Sequence, residues 1–166
     1  MGIKSNIEYF DIRNNETKMK NFVFKRQPKA YQGSKTFKSS SAKSSYSDEL
    51  EKSIRQFNNI DGLPTEDLYG VVYYFHKKKT GTDADNISKP IWDCLKGILF
   101  DDDKRIKLRI AGIIDISKDD FDLTIFDFSN VREEIITELM EAFETIEHFA
   151  YIECGLLNNA MYKFNL

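Results

Sequence analysis

The chain has 166 residues, 41% hydrophobic and 31% charged, the balance of a single compact domain that needs no metal or disulfide staple to fold. Its apolar runs fall short of the roughly 18 residues a membrane span needs, and its start shows no signal-peptide pattern. Cys94 and Cys154 lie far apart without CxxC spacing, which argues against a disulfide framework or zinc site and reads as two reduced thiols of a cytoplasmic protein.

The net charge of −3 hides an asymmetry, because residues 1–79 carry +6 and residues 80–166 carry −9. Between residues 17 and 47 stand eight basic side chains and no acid: Lys18, Lys20, Lys25, Arg26, Lys29, Lys35, Lys38 and Lys43. A basic limb on an acidic body points to a polyanionic partner met by one face; a solvated lysine-rich edge would give the same composition.

In chain order, residues 21–25 alternate apolar and polar and predict a strand. Residues 32–47, rich in Ser, Lys and Gly, predict a mobile basic loop. Residues 48–57 carry Leu50, Ile54 and Phe57 at helical spacing behind a Ser47 N-cap. Residues 68–76 are apolar on both alternating faces and predict a central, doubly buried strand. A helix over residues 88–96 follows; Pro90, comfortable only in a first turn, sets its start near 86–88, and Gly97 sets its end. Ile106, Leu108 and Ile110 begin a strand that resumes at Ile113, with Gly112 read as a bulge. Phe121, Leu123 and Ile125 predict a further strand, joined by a hairpin. Residues 131–150 predict a long helix with an Asn130–Glu133 capping box, one apolar stripe and an acidic outer face that would turn away from DNA. The order of elements implies a single α/β (α+β) domain, a mixed sheet with packed helices, over residues 1–130, with a C-terminal helical extension over 131–166 on the same domain.

The chemistry concentrates in Asp83, Asp85, Asn86, Lys89 and Asp93, followed by Asp101, Asp102 and Asp103. Clustered carboxylates repel one another, and a hard divalent cation offsets that repulsion. The calcium EF-hand pattern fails, since Ile87, Ser88 and Cys94 stand where an oxygen ligand, Gly and Glu belong. Zinc fails because His76, His148 and the two cysteines are scattered, and both histidines read as structural. Mg²⁺ survives, with Mn²⁺ as substitute. An unbroken helix would hold Asp85 and Asp103 roughly 20 Å apart. A stop at Gly97 and an extended return over residues 97–103 would bring them to one single-chain site. Lys89 reads either as a phosphate-binding cation or as the partner of Asp93 in a helix pair. Trp92 reads as core. Tyr31, Phe37 and Tyr46 read equally as base-stacking or as partly buried rings.

The spacing Asp-x-Asp-Asn-x-x-Lys-x-x-x-Asp-x-Leu-x-Gly, then Asp-Asp-x-x-Ile, carried by Asp83, Asp85, Asn86, Lys89, Asp93, Leu95, Gly97, Asp102, Asp103 and Ile106, resembles the signature of RusA-type Holliday-junction resolvases. The resemblance covers residues 70–128 most closely. It implies a small homodimeric, magnesium-dependent endonuclease that nicks four-way DNA junctions symmetrically in recombination and repair. Asp83, Asp85 and Asp103 would be metal-binding and catalytic, Asp102 a further ligand and Lys89 the essential lysine. The aspartate run leaves the register ambiguous by one, and Ile106 favours Asp102–Asp103. Phosphate contacts would come from Lys25, Arg26, Lys29, Lys35, Lys38, Lys77, Lys78 and Lys79. A nuclease for flaps or other branched DNA, or a catalytically silent junction binder, remains the alternative.

Overall fold

The computed structural model describes residues 19–30 and 40–162. Its main elements are β1 (Lys20–Phe24), α1 (Ser40–Phe57), β2 (Leu68–His76), α2 (Ala84–Leu95), β3 (Ile106–Asp115), α3 (Glu133–Thr145) and β4 (His148–Leu156). The four strands form one mixed sheet in the order β1-β4-β2-β3. β4 pairs antiparallel with β1 and β2, while β2 and β3 run parallel and are joined through α2. No helix among the described residues is long and apolar enough to cross a membrane.

Side chains alternate across the strands, so the sheet has two apolar faces and a layer on each. One face, with Phe22, Phe24 and Val72, packs on Tyr46, Leu50 and Ile54 of α1 and on Ile91, Trp92 and Leu95 of α2. The other, with Val23, Phe75 and Phe149, packs on Ile135, Leu139 and Ala142 of α3. The β2 strand has eight of nine residues buried, as its sequence predicts.

A polar tie joins β1, α1 and α3. The Arg132 guanidinium donates to the Phe57 carbonyl at 2.6 Å, to Asn58 Oδ1 at 3.0 Å and to Asn21 Oδ1 at 3.1 Å. Asn58 Nδ2 donates to the Ile54 and Asn21 carbonyls, so the last turn of α1 is closed by side chains.

Several local expectations are corrected. The helix α1 begins at Ser40, so residues 40–47, read as loop, are its first two turns; residues 31–39 lie outside the described region. Tyr46, 1% exposed, extends the apolar stripe one turn back from Leu50. Ser47 is no N-cap: its Oγ donates to the Cys94 carbonyl at 3.0 Å, satisfying the end of α2. The irregularity in β3 lies at Lys107, the extra residue between the Leu68–Ile106 and Tyr69–Leu108 pairs, and not at Gly112. A Cβ at Gly112 would stand 3.2 Å from the Tyr73 ring.

Residues 121–125 are not a strand. Asp122 and Asp127 accept from the backbone amides of Thr124 and Ser129, turning the chain locally, and the Phe121 ring packs at a tilt against Phe126 and Phe143. α3 stops at Thr145, and its N-cap position is Arg132, without a capping side chain. Residues 148–156 form β4, an interior strand between β1 and β2, so the segment 131–166 completes the sheet as well as supplying a helix.

Candidate active site

The crossover from β2 to β3 carries the acidic residues. Gly70 lets α2 sit down on β2: a Cβ there would lie 2.6 Å from Trp92 Cζ2. Trp92 is fully buried, and its Nε1 donates to the buried Ser88 Oγ at 2.9 Å. This contact runs α2 back along β2. The helix N-terminus therefore lies at the His76–Asp115 end of the parallel pair, and its C-terminus lies where β3 begins.

Asp83 occupies the N-cap position with φ −92° and ψ 152°, but its carboxylate caps nothing. Asp85 sits in the first turn, and both aspartates are exposed. The helix starts earlier than Pro90 implies. Pro90 is buried in its interior and forgoes one backbone bond, while Ile87 and Ile91 bury completely one turn apart. Lys89 Nζ reaches both Asp93 carboxylate oxygens at 3.2 Å, so the helix pair forms on the same face as Asp85.

At the other end α2 stops at Lys96, and Gly97 takes φ +83° as expected of a left-handed stop. Residues 97–100 do not extend, however. Gly97 N donates to the Phe100 carbonyl at 2.7 Å, and Leu99 and Phe100 are buried. The three following aspartates are individually engaged. Asp101 is gripped by Arg105, whose hydrogen bond holds its carboxyl down to about 2. Asp102 accepts from Lys104 N at 3.0 Å, which lowers its pKa, and stands 4.0 Å from Lys96 Nζ. Asp103 Oδ2 accepts from Arg109 at 3.1 Å.

The candidate ligands are thus of the right kind for a hard cation but stand in two groups. Twelve residues of unbroken helix, about 18 Å, run between Asp83 at one end and the Lys96–Asp102 contact at the other. No three His, Cys, Asp or Glu side chains among the described residues gather into a metal-sized cluster. The return of Asp103 to Asp85 expected from an extended 97–103 is absent, because burying Leu99 and Phe100 wins over extending the chain.

Three of the basic candidates, Lys25, Arg26 and Lys78, are paired with carboxylates. Lys25 Nζ lies 2.7 Å from Glu138 and 2.8 Å from Glu141 of α3, so that helix turns its acidic face onto a basic residue. Burial works against the Lys25 charge, but these two carboxylates outweigh it and raise its pKa. Arg26 pairs with Glu49, and Lys78 with Glu147 at 2.8 Å. Lys77 Nζ donates to the Glu144 carbonyl at 3.1 Å. The Lys29 ammonium lies over the Tyr46 ring at 5.4 Å, and Lys79 is exposed.

Lys35, Lys38, Tyr31 and Phe37 lie outside the described residues. Tyr46 is a core ring, edge-on to Phe24 at 5.6 Å, which settles its role as packing. His148 Nδ1 shares a hydrogen bond with Tyr74 Oη at 2.8 Å, and His76 is buried in register between His148 and Asp115. The sequence reading missed Arg105 and Arg109 as keepers of the aspartate run. The four-residue step from Asp101 to Arg105 was the available signal.

The crossover helix seated on this mixed sheet carries Lys89 on the same face as Asp85 and Asp93, with oxygen ligands of the kind a hard divalent cation takes. The family described as Endodeoxyribonuclease RusA matches residues 17–118, more than half of the chain. The chain belongs to this family of endodeoxyribonucleases, which act on DNA junctions with divalent metal ions. No curated protein matches it.

Proposed function

We propose that this protein is a magnesium-dependent, structure-selective endonuclease that resolves Holliday junctions by paired symmetric nicks, in the cytoplasm, during recombination and repair. The observation that carries the reading is Asp83, held at a helix N-cap position with an exposed carboxylate that makes no cap, two residues before Asp85, which stands about one turn ahead of Lys89. Asp83 and Asp85 at one end of α2, and Asp102 and Asp103 at the other, are the oxygen ligands with which the chain would take Mg²⁺ or Mn²⁺. A bound ion there supplies water activation and neutralises charge on the leaving oxygen.

The chain's own groups do the rest. Lys89 exchanges its Asp93 partner for a scissile phosphate oxygen, placing a cation where negative charge develops. Arg109 yields Asp103 when that carboxylate is needed as a ligand. Lys77, Lys78 and Lys79, directly before the site, and Lys25, Arg26, Lys29, Lys35 and Lys38 meet the DNA backbone. Because Lys25, Arg26 and Lys78 already hold carboxylates, phosphates must displace those partners, and binding weakens steeply with salt. A homodimer supplies the two equivalent sites that two opposed cuts require.

The test is cleavage of a synthetic four-way junction, a flap and a linear duplex with Mg²⁺. Paired symmetric nicks on the junction alone support resolution. Cutting of all branched substrates assigns a broader nuclease, and binding without product assigns a silent binder. Asp83→Asn should abolish cutting while junction binding holds or tightens, since a negative charge beside the phosphate is removed. Cutting at the parent rate would remove Asp83 from the catalytic set.

A further inference from the structure

Five basic residues gather at one end of the sheet. β1 and β2 both run antiparallel to β4 and finish near its start, with Phe24 beside Ala150 and His76 beside His148. Lys25 and Arg26 follow the first of these strands, and Lys77, Lys78 and Lys79 follow the second. Neighbouring strands lie about 4.8 Å apart, so the two groups stand roughly 10 Å from each other across β4. Asp83 and Asp85 lie at this end too, at the start of α2.

α3 delivers carboxylates to the same place. The turn from α3 into β4 is bonded to Lys77, whose N donates to the Glu147 carbonyl at 2.9 Å and whose Nζ donates to the Glu144 carbonyl at 3.1 Å. Lys25 Nζ lies 2.7 Å from Glu138 and 2.8 Å from Glu141, and Lys78 Nζ lies 2.8 Å from Glu147. Exposure ranks these pairs. The Lys25 and Glu138 side chains are 32% and 21% exposed, against 69% and 55% for Lys78 and Glu147, where solvent screens the attraction. Glu133, in the first turn of α3, takes no part in them.

We infer that Glu138, Glu141 and Glu147 act as resident counter-ions of the DNA surface: they hold Lys25 and Lys78 until phosphates displace them, and by returning they speed release of the cut DNA. They are positioning residues, acting through the lysines and not on the reacting atoms. One anion replaces another on each ammonium, so the net gain per phosphate is small. The displaced carboxylates stay on the helix beside the incoming backbone, where like charge disfavours the complex. Both effects weaken every DNA that uses these lysines, branched or straight, by a similar factor. A nicked product keeps almost all the phosphates of its substrate, so affinity that helps binding also retains product, and α3 limits that retention. The inference takes its substrate from the junction-nuclease reading above; the ion pairs stand without it.

Affinity is read by fluorescence anisotropy on a labelled four-way junction and a linear duplex, without divalent metal so that nothing is cut. Glu138→Gln with Glu141→Gln should tighten both on the order of tenfold, mainly through slower dissociation. Glu147→Gln, which frees the more exposed pair, should tighten them by no more than about threefold. Glu133→Gln removes a charge from α3 without freeing a lysine and should change affinity less than about twofold. In a Lys25→Gln background, the double glutamine change should tighten binding no more than Glu133→Gln does.

Turnover separates positioning from structure. With Mg²⁺ and enzyme in excess, the double variant should cut the junction at the wild-type rate. With substrate in excess its steady-state rate should fall on the order of tenfold, because product release becomes limiting. No tightening, tightening as large in Glu133→Gln, or tightening that survives without Lys25 would overturn the counter-ion role. A steady-state rate equal to the wild type, or equal losses in both cutting regimes, would overturn the release role. If the affinities follow this pattern but no DNA is cut, the nuclease reading and the release role fail while the counter-ion role stands. Junction cutting without the affinity pattern gives the reverse.

Discussion

The two faces of the sheet are packed by different means, and only one of them carries the candidate acidic residues. On the α1–α2 face a single rigid contact sets the geometry: the Trp92 ring fills the space that a side chain at Gly70 would need. The helix seated this way carries Asp83, Asp85 and Lys89. On the α3 face, phenylalanines pack as a cluster, with Phe75 stacked on Phe149 at 5.0 Å and edge-on to Phe143 at 5.0 Å. That layer bears no candidate ligand, and its charged rim ties Lys25 to Glu138 and Glu141. A wedge of one ring against one glycine fixes a helix in register; a pool of rings supplies stability with less positional demand.

The largest effect should come from removing the wedge. Trp92→Ala deletes a fully buried indole and should cost about 3–5 kcal/mol, with nicking lost in the fraction that remains folded. Phe149→Ala, equally buried, should cost a similar amount in urea unfolding yet keep nicking per folded molecule. Equal losses of activity in both would erase the distinction between the faces.

Gly70→Ala sharpens the same comparison. The added methyl meets a ring that has nowhere to go, so overpacking should cost about 1–3 kcal/mol. If unfolding midpoints stayed unchanged, α2 would not be seated by close approach.

Lys89→Ala separates the two roles of that lysine. As a half-exposed helix pair with Asp93 it contributes no more than about 0.3–0.5 kcal/mol, so stability should barely move. Cleavage should nevertheless fall by orders of magnitude. Unchanged turnover would leave Lys89 as a helix partner only.

The smallest expected effect is an acid-limb change. Asp101 has its carboxyl depressed to about 2 from 3.8 by the Arg105 hydrogen bond. A depressed carboxyl stabilises the native state above its unfolded value, and that contribution fades as pH falls from near 4 through about 2. Arg105→Met should return the Asp101 titration, followed by carboxyl NMR, toward the ordinary value. A titration that stayed near its present midpoint would assign the depression to the Asp102 amide instead.

Much of this architecture is legible in the residues. β1, β2 and the Gly97 stop follow from alternation, apolar run length and a glycine placed after a helical stripe. β4 did not, because an interior strand is apolar on both faces and Ile146 and Phe149 continue the α3 stripe; its cue is the aromatic and β-branched run Phe149-Ala150-Tyr151-Ile152. The first turns of α1 hid for the opposite reason, being serine-rich with one anchoring ring at Tyr46.

Local patterns in the residues name the candidate carboxylates, the candidate lysine and their spacing, since ligand type and helical period are local properties. The tertiary structure alone decided where those groups stand. Burial of Leu99 and Phe100 spends the link after α2 on the core, so the aspartates end at opposite ends of one helix. Distance between them is a property of packing, which no local pattern encodes.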